Sequence, residues 1–438
     1  MFAAENQKIM KSSRLVIAIA LAGAALLPVA KAQTDLAAKF SPVAAPAQPG
    51  LYLKPNDRLA IIGDSITEQK MYSRIIETYL TVCVPELKVT VRQFGWGGET
   101  AEGFLHRMTN DCLRFQPTIA TLCYGMNDHR YRAYDEPNGQ WYSNNYSAVV
   151  RSLKSISARV VLGSPGCVGK VPRWASDTNA PLEDLNLNLC HLRNIDIAIA
   201  AQQQTRFADV FWPMLTAGFE ARQRYGDGYA LCGGDGVHPG WSGHLIMAYA
   251  FLSAMGLDGD IGTFTVDQAA NSATVSSGHK LVSYTNDTLT ITSQRYPFCA
   301  TGDLANFNSI RSGMTLVPFN AALNRLRLIV KNGKAANYRV TWGSAAHTYT
   351  AGQLADGVNL AADFTINPFS KAFNQVDEAV FNKQNYETRQ IKELFHGPEG
   401  KADADATAAL TEKARQPLTD AIANAFVPVT HLIKIAPL

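Results

Sequence analysis

The 438-residue sequence has little net charge: 40 Lys and Arg against 37 Asp and Glu leave +3. Four of the cations, Lys8, Lys11, Arg14 and Lys31, precede residue 33 and face only Glu5, so that segment carries 4 − 1 = +3 and the remainder is about neutral. Nothing in the charge asks for nucleic acid or an anionic membrane as partner. The seven cysteines form no C-x-x-C pair, which argues against a zinc cluster or a redox motif. Neither H-E-x-x-H nor G-x-S-x-G occurs, so a zincin helix and the usual nucleophile elbow are both missing. Long apolar runs are also scarce. The longest, Leu15 to Leu27, falls short of the roughly 20 residues a spanning helix needs.

That run does fit a secretory leader. Lys11 and Arg14 precede it, and Ala30-Lys31-Ala32 is a small-x-small cleavage site before Gln33. Residues 1–32 are therefore expected to be a signal peptide, with the mature chain secreted or periplasmic and no membrane span left after cleavage. Export permits disulfides, yet the cysteine count is odd. Cys123, inside the apolar stretch Thr118 to Tyr124, is the expected buried free thiol. The other pairings and the oligomeric state are not written in the sequence.

From Leu51 onward, short apolar strands alternate with helical spacing: Leu59 to Ile62, Val89 to Phe94, Thr118 to Tyr124, Val160 to Ser164 and Phe207 to Phe211. Continuous apolar strands joined by helices predict a parallel sheet covered on both faces, an α/β domain over 51–258. Trp241, Leu245, Tyr249 and Leu252 make its closing helix. The pattern then changes. Residues 262–350 read as a small antiparallel β unit, with Asn286-Asp287 and Asn332-Gly333 as turns. Residues 365–438 read as helical, broken at Gly397-Pro398, with a polar helix from Asp403 to Arg415 and a final strand near His431 to Ile435.

The chemistry concentrates at strand ends. Gly63-Asp64-Ser65-Ile66 stops the first strand and puts a hydroxyl on a turn at the carboxyl edge of the sheet, where open α/β sheets bind ligands. A serine nucleophile needs a base, and His238 in Asp235-Gly236-Val237-His238 offers one, with Asp235 three residues away to fix its tautomer. His244, inside the closing helical pattern, is a rival base expected to be structural. Gly98, in Trp96-Gly97-Gly98-Glu99-Thr100, follows the second strand, and Asn127, in Gly125-Met126-Asn127-Asp128, follows the third. The Ser65 and Gly98 N–H groups and the Asn127 amide form a candidate oxyanion hole. Asp64 is expected to brace the turn rather than titrate.

These four blocks in order resemble the SGNH hydrolase superfamily, the GDSL esterase and lipase family. The resemblance spans about Leu51 to Gly256. It implies a flavodoxin-like three-layer α/β/α fold, no metal or other cofactor, and ester substrates cleaved by double displacement. Ser65 matches the nucleophile, Gly98 and Asn127 the oxyanion donors, His238 the base and Asp235 its orienter; Ile66 stands where leucine is usual. The C-terminal β and helical accessory region lies outside the pattern.

Substrate class rests on softer signals. The loop from His129 to Tyr142 is rich in aromatic and polar side chains, which suits a sugar. Trp96, His129, Tyr131 and Trp141 are the candidate substrate contacts. With export, they favour a short-chain acyl carbohydrate esterase acting on a small ester or an acylated carbohydrate. The alternatives are a lipase, arylesterase or thioesterase on the same scaffold, or a non-catalytic glycan-binding envelope protein, against which the full catalytic set counts.

Overall fold

The computed structural model describes residues 35–438, so the leader expected over 1–32 lies outside the described residues. The chain divides into two units, Met1–Ala44 and Ala45–Leu438. The described part of the first contains a short helix over 35–40. All that follows concerns the second.

Five parallel strands, β1 (Arg58–Gly63), β2 (Thr90–Gln93), β3 (Ile119–Cys123), β4 (Arg159–Gly163) and β5 (Arg206–Ala208), lie in the order β2-β1-β3-β4-β5. That is the flavodoxin-like order. Helices α1 (Ser65–Glu68), α2 (Tyr72–Val82), α3 (Ala101–Asp111), α4 (Glu136–Ser155), α5 (Leu182–Gln203), α6 (Phe211–Tyr225) and α7 (Trp241–Ala254) supply the connections and the close. Residues of β1 alternate across the sheet. Ala60 and Ile62 join a core with Phe104 of α3, Tyr142, Tyr146 and Val149 of α4 and Leu192 of α5. In the layer formed by α2 and α7, Tyr72 stacks on Phe251 at 5.7 Å. Burying each such large apolar side chain stabilises by roughly 1.5–3 kcal/mol. The parallel α/β/α fold read from the sequence is therefore the one observed. The fifth strand ends earlier than expected because Asp209 accepts the Trp212 N–H and Ser164 Oγ accepts those of Val210 and Phe211, turning the chain into α6.

The C-terminal region adds two sheets. One has the order β13-β10-β6-β7 and the other β12-β11-β14-β9-β8, from β6 (Asp260–Asp267), β7 (Ser272–Val275), β8 (His279–Thr285), β9 (Thr288–Ser293), β10 (Arg325–Lys331), β11 (Asn337–Trp342), β12 (Ala345–Thr350), β13 (Val358–Asn359) and β14 (Val429–Pro437). Burial alternates along β9, β10, β11 and β14, as in sheets with one covered face. Phe264 of β6 meets His279 of β8 at 5.0 Å and His431 of β14 at 5.8 Å, joining the two sheets. Here the sequence reading needs correction. The strands flanking Asn332-Gly333 do not return on each other: β10 runs parallel to β6, whereas β11 pairs with β12 and β14. Residues 332–336 separate them, longer than a two-residue hairpin loop, and carry the chain from one sheet to the other.

Helices α8 (Ser370–Arg389) and α9 (Ala404–Ala425), the latter running through Pro417 well past Arg415, pack against the edge strand β2. A bare edge invites pairing with other chains. Here side chains satisfy it: Lys383 Nζ and Arg415 donate to the Val91 carbonyl, and Glu387 accepts the Gln93 N–H. Lys383 and Glu387 are ion-paired at 2.9 Å and almost fully buried, with Arg415 2.6 Å from the same carboxylate. Burial pushes the Glu387 pKa up, but Lys383, Arg415 and Arg92 outweigh it and hold the carboxyl at about 2.

Glu387→Ala leaves Arg415 without its carboxylate and Lys383 with Glu77 alone, at 2.8 Å, and should lower the unfolding free energy in a urea titration by about 3–5 kcal/mol. Because the folded pKa lies below the ordinary 4.5, the stabilisation is full above pH 4.5 and is lost as pH falls toward 2, a loss Glu387→Gln should not show. A chain ending near Gly262 should be insoluble or lack a cooperative transition. A soluble, active fragment released there by limited proteolysis would contradict the integral packing.

Candidate active site

Ser65 begins α1, a single turn at the carboxyl end of β1. Asp64 caps it, its carboxylate accepting the Ile66 N–H at 2.9 Å. Complete burial raises the Asp64 pKa to about 8, despite that N–H. Ser65 Oγ lies 2.8 Å from His238 Nε2, and His238 Nδ1 lies 2.7 Å from Asp235 Oδ2. Asp235 Oδ1 accepts the Val237 and His238 N–H groups, each at 2.9 Å. Partial burial raises the Asp235 pKa, but those two N–H groups and the imidazole prevail and hold it below the usual carboxylate value. The carboxylate thus stays ionised and the ring is held in one orientation. Gly236, at φ +88°, permits the turn; a Cβ there would fall 2.6 Å from the Lys170 carbonyl.

The two other blocks arrive at the same edge. Gly98 has φ +72° and no atom within 4 Å of where a Cβ would stand, so the glycine serves the turn and its surroundings are open. Asn127 Nδ2 donates one hydrogen to the Glu99 carbonyl at 2.9 Å, which orients the amide and leaves its second hydrogen. Behind them sits a buried polar brace. Arg107 forks onto both Glu99 oxygens at 2.6 and 2.7 Å, and Tyr124 Oη donates to Glu99 at 2.6 Å. Asp128 accepts the Ala101 N–H with one oxygen and the Gly125 N–H with the other, both at 2.9 Å. Burial raises its pKa to about 6 against those bonds.

The remaining sequence candidates separate. His244 is buried, accepts the Tyr72 N–H and bonds Gln69 Oε1, and burial lowers its pKa to about 3. It anchors the start of α2. His129 must be corrected as a substrate contact: it is fully buried, faces the Met126 carbonyl and has its pKa lowered by burial to about 4. Trp141 lies on α4 under the Arg130 guanidinium, 4.6 Å from its carbon, with its N–H toward Glu102. Trp96 packs between Arg107, Lys392 and His396. Tyr131 is linked to His238 through Trp174, whose ring lies 5.9 Å from Tyr131 and 6.0 Å from His238. Trp174 is half exposed. The sequence reading missed it, although the loop after β4 must open at the same edge. Arg130 and Tyr131 both have positive φ, +53° and +51°, a strain of the sort that collects at functional loops.

All seven cysteines are buried, and Cys123 is a free thiol with its pKa raised by burial. Among the described residues no group of three or more His, Cys, Asp or Glu is placed to hold a metal, and no helix is long and apolar enough to cross a membrane.

Residues 61–246 match the GDSL-like lipase/acylhydrolase family. An acetylxylan esterase of Geobacillus stearothermophilus is 24% identical over 223 residues, which cover 46% of this chain and 95% of that one. The solved structure of a gut microbial diltiazem-metabolizing enzyme covers 90% of this chain and all of its own at a TM-score of 0.70, with 20% identity. The added sheets and helices are thus part of an architecture found elsewhere. Residues 61–246 are thus a GDSL-like lipase/acylhydrolase domain of the SGNH hydrolase superfamily, and the chain is a hydrolase of ester bonds.

Proposed function

We propose that this chain is an exported serine esterase that removes short acyl groups, acetyl above all, from carbohydrate through an acyl-enzyme on Ser65. The observation that carries the reading is the continuous hydrogen-bonded path from Ser65 Oγ through His238 to the ionised Asp235. In the first half-reaction, Ser65 Oγ attacks the ester carbonyl as His238 Nε2 takes its proton, and Asp235 stabilises the imidazolium. The Ser65 and Gly98 N–H groups and the free hydrogen of Asn127 receive the oxyanion. His238 then protonates the leaving alcohol. Water, deprotonated by the same nitrogen, releases the acid from the acyl-enzyme.

The choice of carbohydrate draws on the acetylxylan esterase relative and on the Tyr131–Trp174 pair beside His238, whose ring faces suit the C–H face of a sugar on the leaving-group side. Export is read from the leader alone.

Hydrolysis of p-nitrophenyl acetate should fall on the order of 10⁶-fold in Ser65→Ala and about 100–1000-fold in kcat for Asn127→Ala. Equal rates in Ser65→Ala and the unaltered enzyme would sink the mechanism. Trp174→Ala should lower kcat/KM about 10-fold or more on acetylated xylo-oligosaccharide, through loss of a stacking contact, while sparing ethyl acetate. Preference for palmitoyl over acetyl esters in a chain-length series would overturn the carbohydrate choice.

A further inference from the structure

The turn that carries Gly98 is held from three sides. Trp96 N–H donates to the Gly63 carbonyl at 3.0 Å, which ties the turn to the end of β1. Glu99 is clamped by Arg107. Between them, the Gly97 N–H donates to Glu68 Oε2. Glu68 stands three residues after Ser65 on the same helical turn, so its carboxylate links the nucleophile's own element to the oxyanion loop.

The other oxygen of Glu68 is bound from outside the esterase domain. Lys392 Nζ lies 2.6 Å from Glu68 Oε1 and 5.2 Å from the centre of the Trp96 ring. Lys392 belongs to a π-helical turn, Gln390–Phe395, that continues α8; such turns are rare and recur at functional sites. Its neighbour His396 packs edge-on against Trp96 at 5.0 Å and reaches Asp111 Oδ2 at 2.8 Å. Both partners of the Lys392–Glu68 pair are about two-thirds or more buried. A pair so placed can fix a carboxylate in a way a fully solvated one does not.

We infer that Lys392 is a positioning residue for ester hydrolysis: through Glu68 it fixes the Trp96–Gly98 turn and so aims the Gly98 N–H at the oxyanion. This rests on the acyl-enzyme reading above. Without the cation, Glu68 is free to change rotamer, Gly97 loses its acceptor, and the turn gains freedom that must be removed in each transition state. The cost therefore falls on kcat, because the oxyanion forms only after the substrate is bound.

The test uses the full-length enzyme and p-nitrophenyl acetate. Lys392→Met should lower kcat about 10–50-fold with KM within twofold of the unaltered enzyme and an unchanged thermal midpoint, and Lys392→Arg should restore kcat to within about threefold. Glu68→Gln should lower kcat as well, and adding Lys392→Met to it should lower kcat no further, since both act through one carboxylate. An unaltered kcat in Lys392→Met, a loss that arginine does not repair, or a fully additive double variant would overturn the proposal. Ser65→Ala separates the two levels. If it retains activity the acyl-enzyme reading fails; if it is inactive while Lys392→Met is normal, only the role of Lys392 fails.

Discussion

The site depends on one buried charge, the Glu99 carboxylate. Arg107 forks onto it and Tyr124 adds a third donor, while the same residue's carbonyl orients the Asn127 amide. Burial works against the Arg107 charge, but Glu99 outweighs it and keeps the guanidinium firmly protonated. A buried pair of this kind adds little net stability over an apolar replacement, yet removing one partner leaves the other charged and dry. Its value here is geometric. It holds the turn after β2 and the turn after β3 in one register, and Asp128 repeats the link through Ala101 and Gly125.

Around that brace, the parallel sheet brings three turns to one edge. β1 delivers Ser65, β2 delivers Gly98 and β3 delivers Asn127, because neighbouring strands in the order β2-β1-β3 end side by side. His238 arrives from the loop before α7, where it forms a self-contained turn with Asp235. Nothing else in the fold has to move for Ser65 and His238 to meet. The accessory region serves this arrangement in two ways. Lys383, Glu387 and Arg415 close the open edge of β2, and the turn that follows α8 sets Lys392 and His396 against Trp96.

The α/β/α fold and the placement of Ser65, Asp235 and His238 were legible because each depends on short-range signals: continuous apolar strands, a turn after each, and a base three residues from its carboxylate. The aromatics were not. His129 looked like a ligand-facing ring, yet the turn after Asn127 folds it beneath the loop, and burial cannot be told from exposure by residue type. Trp174 carried no motif and gained its place only when β4 set its loop beside His238. The ion pairs of Arg92 and Lys392 and the hydrogen bond from Arg415 to the Val91 carbonyl join positions roughly 300 residues apart, and periodicity contains no such information. The switch of sheets after Asn332 escaped for a related reason. Alternation in β10 and β11 fixes which face is buried but not which strand is the partner.

The central claim is that Ser65 carries the acyl group between the two half-reactions. The direct measurement is peptide mass mapping of enzyme quenched in acid during turnover of an aryl acetate. The account predicts an acetyl adduct on the peptide containing Ser65, absent after Ser65→Ala. Full turnover with no adduct at Ser65, or an acetyl group trapped on another residue, would contradict it.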